Sequence, residues 1–278
     1  MKKIIGIVCM ACLLGACGNS DEEKAQTFLQ AAESAWQAGD YNSAKLQIDS
    51  VRILYPKAFE ARKQGVKLMQ KVELDEQRKS LVYLDSLYQA KQKDFEAMKG
   101  NYVLEKDTVY QEIGNYFSPS QTVEKNLNRT FLRAQVSEKG EMLLTSIYCG
   151  MSPIHHTSVK VSSGDTFAET PTSADMYETT DLGWKIEKAD YPLGKDGGVI
   201  GYIVLNKENP IRVEYQGDRT YKTTMAPADK KAIADVYALT QVLSSMEEIR
   251  KEQQEANRKI EFITRKVKEG EAIKSIEN

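Results

Sequence analysis

Residues 81–98 read LVYLDSLYQAKQKDFEAM, in which Leu81, Leu84, Tyr88, Lys91, Phe95 and Met98 follow one another at spacings of 3, 4, 3, 4 and 3. That spacing holds one stripe of side chains on one side of an α-helix and marks the seam along which such a helix packs lengthwise on another. Outward from it, Lys57 to Lys99 contains no proline and a single glycine, Gly65, so a long helix is predicted over 57–99. A second proline-free run begins at Ala228. There Leu239, Leu243, Met246, Ile249 or Arg250, Gln253, Ala256, Ile260, Ile263 and Val267 form another seam, predicting a helix over 227–270 and a tail over 271–278. Each helix would have about 42 residues and a length of about 63 Å. Two amphipathic helices of matched length that flank an insertion cover their stripes most simply by pairing antiparallel, as a coiled-coil stalk. Gln77, Lys91 and Gln253 interrupt the stripes with polar groups that either set register or let the stalk bend or fray.

Between the helices the period changes. Arg129 to Val136, Met142 to Cys149, Thr157 to Val161, Gly183 to Glu187, Val199 to Leu205, Ile211 to Tyr215 and Thr220 to Thr224 read as strands. Glu138-Lys139-Gly140, Ser163-Gly164-Asp165, Lys195-Asp196-Gly197-Gly198, Asn206 to Pro210 and Gln216-Gly217-Asp218 separate them with turn chemistry. Short strands in this order predict an antiparallel β-sandwich or small barrel over 100–226, and the chain as a whole is predicted α+β. Leu182, Trp184 and Ile186 share one strand face and are expected inward. Residues 107–115 suit either a strand or a short helix.

Ahead of the first long helix, 24–56 reads as two amphipathic helices joined at Ala35-Trp36-Gln37-Ala38-Gly39-Asp40-Tyr41-Asn42-Ser43-Ala44. Gly39 permits the turn, Ala44 a close approach, Phe28 and Trp36 fill the space between the helices, and Pro56 ends the second. This segment resembles one tetratricopeptide repeat. An array of such repeats buries a continuous core only when three or more stack, so a single unit must pack on something else. The start of the next helix, around Phe59, Val66 and Leu68, is expected to serve.

At the N-terminus Lys2 and Lys3 precede an apolar run, Ile4 to Leu14, too short to span a membrane, and then Leu14-Gly15-Ala16-Cys17. This resembles a bacterial lipobox. The resemblance implies a signal peptide over 1–16, cleavage between Ala16 and Cys17, and acylation of Cys17, so that the membrane becomes a partner through the lipid. An acidic linker is expected over 17–23. Its Ser20-Asp21-Glu22-Glu23 resembles the export signal of Bacteroidota lipoproteins, which implies anchoring in the outer membrane with the cell surface favoured over the periplasmic face. Asp49-Ser50-Val51, Asp85-Ser86-Leu87 and Asp107-Thr108-Val109 resemble O-glycosylation sites of the same bacteria. Thr108 is the favoured acceptor because Ser50 and Ser86 fall on predicted helices.

The 278 residues carry 38 Lys and Arg against 40 Asp and Glu, a formal charge of −2, with no basic stripe of the kind nucleic acid requires. The acid excess falls in 101–226. With Cys9 and Cys12 lost with the signal and Cys17 acylated, Cys149 is the single remaining free cysteine and is read as a small buried hydrophobe. His155 and His156, the only histidines, would point to opposite faces of a strand and cannot share a metal, so no metal site is expected. No Gly-x-Ser-x-Gly elbow, phosphate loop or dinucleotide fingerprint occurs, and no pair of carboxylates stands out for glycosidase chemistry. The expectation is a non-catalytic, cofactor-free envelope protein that presents a β domain on a stalk to an envelope protein partner. The alternative is glycan recognition or adhesion through exposed aromatics, with Tyr177, Tyr191 and Tyr202 as contacts. A periplasmic adaptor of an export system shares the long hairpin and β body, but the lipoyl-like segments that flank its helices are not visible.

Overall fold

The computed structural model describes residues 20–107 and 109–277, the last six as backbone alone. Ala16, Cys17 and Thr108 lie outside the described residues. The chain is α+β. In order, α1 (Asp21–Gln37), α2 (Tyr41–Leu54) and α3 (Phe59–Met98) are followed by β1 (Val103–Glu105), β2 (Asn115–Phe117), β3 (Phe131–Ser137), β4 (Met142–Gly150), β5 (Ser158–Ser163) and β6 (Thr166–Glu169). Then come β7 (Met176–Asp181), β8 (Trp184–Pro192), α4 (Val199–Leu205), β9 (Arg212–Gln216), β10 (Tyr221–Thr224) and α5 (Pro227–Glu277). Two compact units result. The helical unit takes the residues up to Val82 together with those from Glu255, and the sheet unit spans Tyr83–Gln254. Both long helices therefore contribute to each unit, where the sequence suggested a stalk separate from the β domain.

In the helical unit α1 begins at Asp21, three residues earlier than predicted. Ser20 and Glu23 exchange side-chain and backbone hydrogen bonds in a capping box, and Asp21, Glu22 and Glu23 place acidic groups at the positive end of the helix. Glu22 also accepts the Ala61 N–H at 2.6 Å, capping α3. Of the stretch read as linker, Asp21, Glu22 and Glu23 are thus helical and Ser20 is the cap of their helix. At the other end of α1, Gly39 N–H reaches Trp36 O and Asp40 N–H reaches Ala35 O with Gly39 at φ 75°, a Schellman ending that glycine permits. Asp40 then caps α2 by accepting Ser43 N–H at 3.0 Å. Ala25, Leu29, Ala32, Ala44, Ile48, Val51, Ala61 and Val72 form the core, with Phe28 and Trp36 packed at its margin. Trp36 Nε1 donates to Asp75, and Lys45 pairs with Glu76 at 2.7 Å.

The sheet unit holds two open antiparallel sheets, of strand orders β1-β2-β3-β4-β8-β7 and β10-β9-β5-β6, which replace the predicted alternative of a closed barrel. Leu132, Ala134, Val136, Leu144, Ala189 and Tyr191 of the first share one core with Val159, Val161, Val213 and Tyr215 of the second. Ile233, Val236, Leu239 and Leu243 of α5 belong to the same core, so the first part of that seam faces sheet residues. Farther along, Arg250 donates to the Tyr88 hydroxyl and Gln253 donates to Asp85 at 2.7 Å, so α3 and α5 run antiparallel there. The stripe predicted on α3 is its more covered side, with Leu84 buried and the others partly so.

Several predicted elements differ. Val199–Leu205 is helix, not strand: Asp196 accepts Ile200 N–H at 2.7 Å, and Val199, Ile200 and Ile203 then form one buried face. A short run that is apolar throughout has no period to distinguish the two. β8 turns Glu187, Ala189 and Tyr191 inward, so Trp184 and Ile186 lie on the outer face and Leu182, at the hairpin turn, is 94% exposed. α5 continues past Gly270, since a lone glycine costs a helix only about 1 kcal/mol and no proline follows it.

Candidate functional site

Phe59 and Val66, expected to cover the hairpin, are instead 70% and 61% exposed. The covering residues are Ala58, Ala61 and Val72, with Leu68 and Met69 at the margin, so α3 turns a different stripe to the core. The exposed stripe and α2 form the walls of an open groove of about 510 Å³, with Ile48, Val51, Phe59, Val66 and Met69 along its floor and sides. Arg52, Arg62 and Lys63 stand at its rim against one acid, Asp49. Asp49 pairs with Arg52 at 3.2 Å, and Arg62 donates to Pro56 O at 2.8 Å. Ile53 and Leu54 add exposed apolar surface on α2. A continuous apolar patch rimmed by charge is unusual on a surface without a partner. The residue types are legible in sequence; which stripe of α3 meets α2 is not.

The three tyrosines singled out as ligand contacts separate. Tyr191 is buried to 1% exposure and its hydroxyl donates to Thr157 O, so it serves the core and is no surface contact. Tyr202 staples the β5–β6 hairpin, where its hydroxyl accepts Ser163 N–H at 2.8 Å and donates to Thr166 O at 2.8 Å. Tyr177 on edge strand β7 remains 57% exposed and lines a groove on the outer face of the six-stranded sheet. Cys149 lines the same groove half-buried, and burial raises its thiol above the ordinary range.

One buried constellation escaped the sequence reading. His156 Nε2 lies 2.7 Å from Ser146 Oγ, and its Nδ1 lies 2.9 Å from Glu187 Oε2, the order of a serine–histidine–carboxylate triad. Such a triad must present its hydroxyl to substrate, whereas Ser146 is 0% exposed and packed 3.3 Å from Ala189 O. Glu187 acts as a clasp. Its Oε1 accepts the N–H groups of Ile154 and His155, and its Oε2 accepts the N–H and ring Nδ1–H of His156. Burial pushes this carboxyl up, but the bonds from His156, His155 and Ile154 outweigh it and hold the group below the ordinary glutamate range.

His155 and His156 do point apart, though from a loop in which His155 has φ 51° and not from a strand. His155, Glu178 and Glu187 bring ligand atoms within 4.8 Å of one another. Glu187 has no lone pair left for a metal, and the remaining His155–Glu178 pair, 2.9 Å apart and half exposed, offers two ligands where a structural site needs four. Comparison with models of known protein families, with curated proteins and with solved structures gives no match for this chain.

Proposed function

We propose that this chain is a non-catalytic, lipid-anchored protein of the bacterial envelope that binds another envelope protein through its helical unit. The observation that carries the reading is the open groove between α2 and α3, with Phe59 left 70% exposed. In this reading α1 and α2 are a single tetratricopeptide-like hairpin, and α3 pairs with α5 as an antiparallel coiled coil. A lone repeat leaves uncovered the face on which a further helix would stack, and an amphipathic helix of the partner supplies it. The rim of Arg52, Arg62 and Lys63 favours acidic flanks on that helix.

Phe59→Asp and Val66→Asp test the groove, because both side chains are exposed and the fold, followed by circular dichroism, should survive. Full-length protein purified from native membranes should bring down a stoichiometric partner that both variants lose by at least about tenfold, equivalent to about 1.4 kcal/mol. Undiminished recovery with both variants would sink the reading. The anchor rests on Leu14 to Cys17, and Cys17→Ser should move the protein from the membrane fraction to the soluble one. Retention of the serine variant in the membrane would remove the anchor.

A further inference from the structure

The outer face of the six-stranded sheet sets cations without acceptors beside an exposed aromatic ring. Register aligns Phe131, Ile147, Lys188 and Tyr177 in one row across β3, β4, β8 and β7, and places Arg133, Thr145 and Asp190 in the next. With the segment from Gln121 to Arg129 as one wall, this face makes a groove of about 300 Å³. That is the small end of the range for ligand sites, with room for one sugar ring and little more.

Its three cations are not equivalent. Arg129 is committed, paired with buried Asp229 and donating to Asn126 Oδ1. Arg133 lays its guanidinium over the Phe117 ring at 5.0 Å, and its Nε is buried without a hydrogen-bond partner. Burial holds this guanidinium below its ordinary pKa, with Glu105 and Asp190 acting on it only through space. Lys188 Nζ lies 6.0 Å from the centre of the Tyr177 ring. Neither Arg133 nor Lys188 forms an ion pair among the described residues, and Asp181 is the one carboxylate among the residues lining the groove. Asp190 is engaged by the Thr145 hydroxyl at 2.5 Å. Arg133 thus lines the groove with no carboxylate paired to it, and a ligand carboxylate is the group that matches it in charge.

We propose that this groove binds a glycan residue bearing a carboxylate, Arg133 and Lys188 taking the anion while Tyr177 stacks on the sugar ring. The flat, exposed ring at the edge favours a sugar over a peptide carboxylate, because it offers a stacking face beside the charge. This site is independent of the groove between α2 and α3.

The test is full-length protein applied to an array of uronate-terminated and sialate-terminated glycans, with neutral counterparts and carboxylate-terminated peptides alongside. Acidic glycans should bind, neutral ones should not, and Lys188→Gln and Tyr177→Ala should each lower affinity at least about tenfold. Arg133→Gln should abolish binding; since it alters a half-buried side chain, the two surface variants carry the test if it fails to fold. Equal binding of neutral glycans, a preference for the peptides, or binding to no acidic glycan would overturn the proposal.

Discussion

Gly140 and Gly164 share a left-handed backbone, φ 81° and φ 57°, and differ in surroundings. A β-carbon on Gly140 would overlap the backbone of Ser244 on α5, whereas one on Gly164 would meet nothing within 4 Å. Alanine at Gly164 should therefore cost about 1 kcal/mol, for conformation alone. At Gly140 the overlap adds to this, and denaturant unfolding of Gly140→Ala should show a loss of roughly 2–4 kcal/mol; equal losses at the two sites would contradict the close approach of turn and helix. Glu187 makes a prediction of a different kind. Its native pKa is depressed, so its stabilisation is full above the ordinary glutamate range and fades as pH falls through the native value. Glu187→Gln turns an acceptor into a donor facing N–H groups and should cost roughly 3 kcal/mol near neutrality. The acid limb of the stability curve should be shallower in that variant, and an unchanged limb would mean the clasp does not titrate with folding. His155 has the opposite sign: the bond to Glu178 raises its pKa, so the pair stabilises below the ordinary histidine range and the benefit goes as pH rises through the native value. Glu178→Gln should lower the His155 titration followed by NMR, with little change in stability because both groups are exposed.

Among elements, the legible ones repeat a period long enough to count. The seam from Leu81 to Met98 shows the covered side of α3, and the alternation of β3 and β4 is plain from Leu132 to Leu144. Elements escaped where the period was short or absent. β1, β2 and β6 are short, and β1, β6 and β7 are mostly exposed, so little apolar alternation marks them; α4 is apolar at every position but its glycine and tyrosine. The three tyrosines part for another reason: a residue with an apolar body and a polar tip serves a core, as Tyr191 does, a hairpin, as Tyr202 does, or a surface, as Tyr177 does, and only pairing decides which. The antiparallel run of α3 and α5 through Asp85 and Gln253 is open to a direct check. In a Cys149→Ala background, cysteines at these two positions should be joined within one chain by a short bismaleimide, given the 2.7 Å contact between the native side chains. Crosslinks found only between chains would replace this pairing with an oligomeric one.

At the scale of the whole molecule, two buried clusters share no residue, one built on Leu29, Ile48 and Val51 and the other on Leu132, Leu144 and Tyr191. The long helices run through both units, yet between Val72 and Met98 Leu84 is the one buried residue of α3. α3 thus offers little apolar area to make the clusters unfold together, which leaves Met246, Ile249, Ala256 and Ile263 of α5, and stability scales with such area at about 25 cal/mol per Å². The chain supplies its own reporters, because Trp36 packs beside the first cluster and Trp184 sits on β8 of the sheet unit. With Trp184→Phe leaving Trp36 alone, Leu29→Ala should destabilise the transition seen by Trp36 by about 2–5 kcal/mol. With Trp36→Phe leaving Trp184, the same change should leave the transition in place, and Leu144→Ala, at a fully buried position, should shift it strongly. If every substitution moves both reporters equally, the two clusters unfold as one and the long helices carry the coupling.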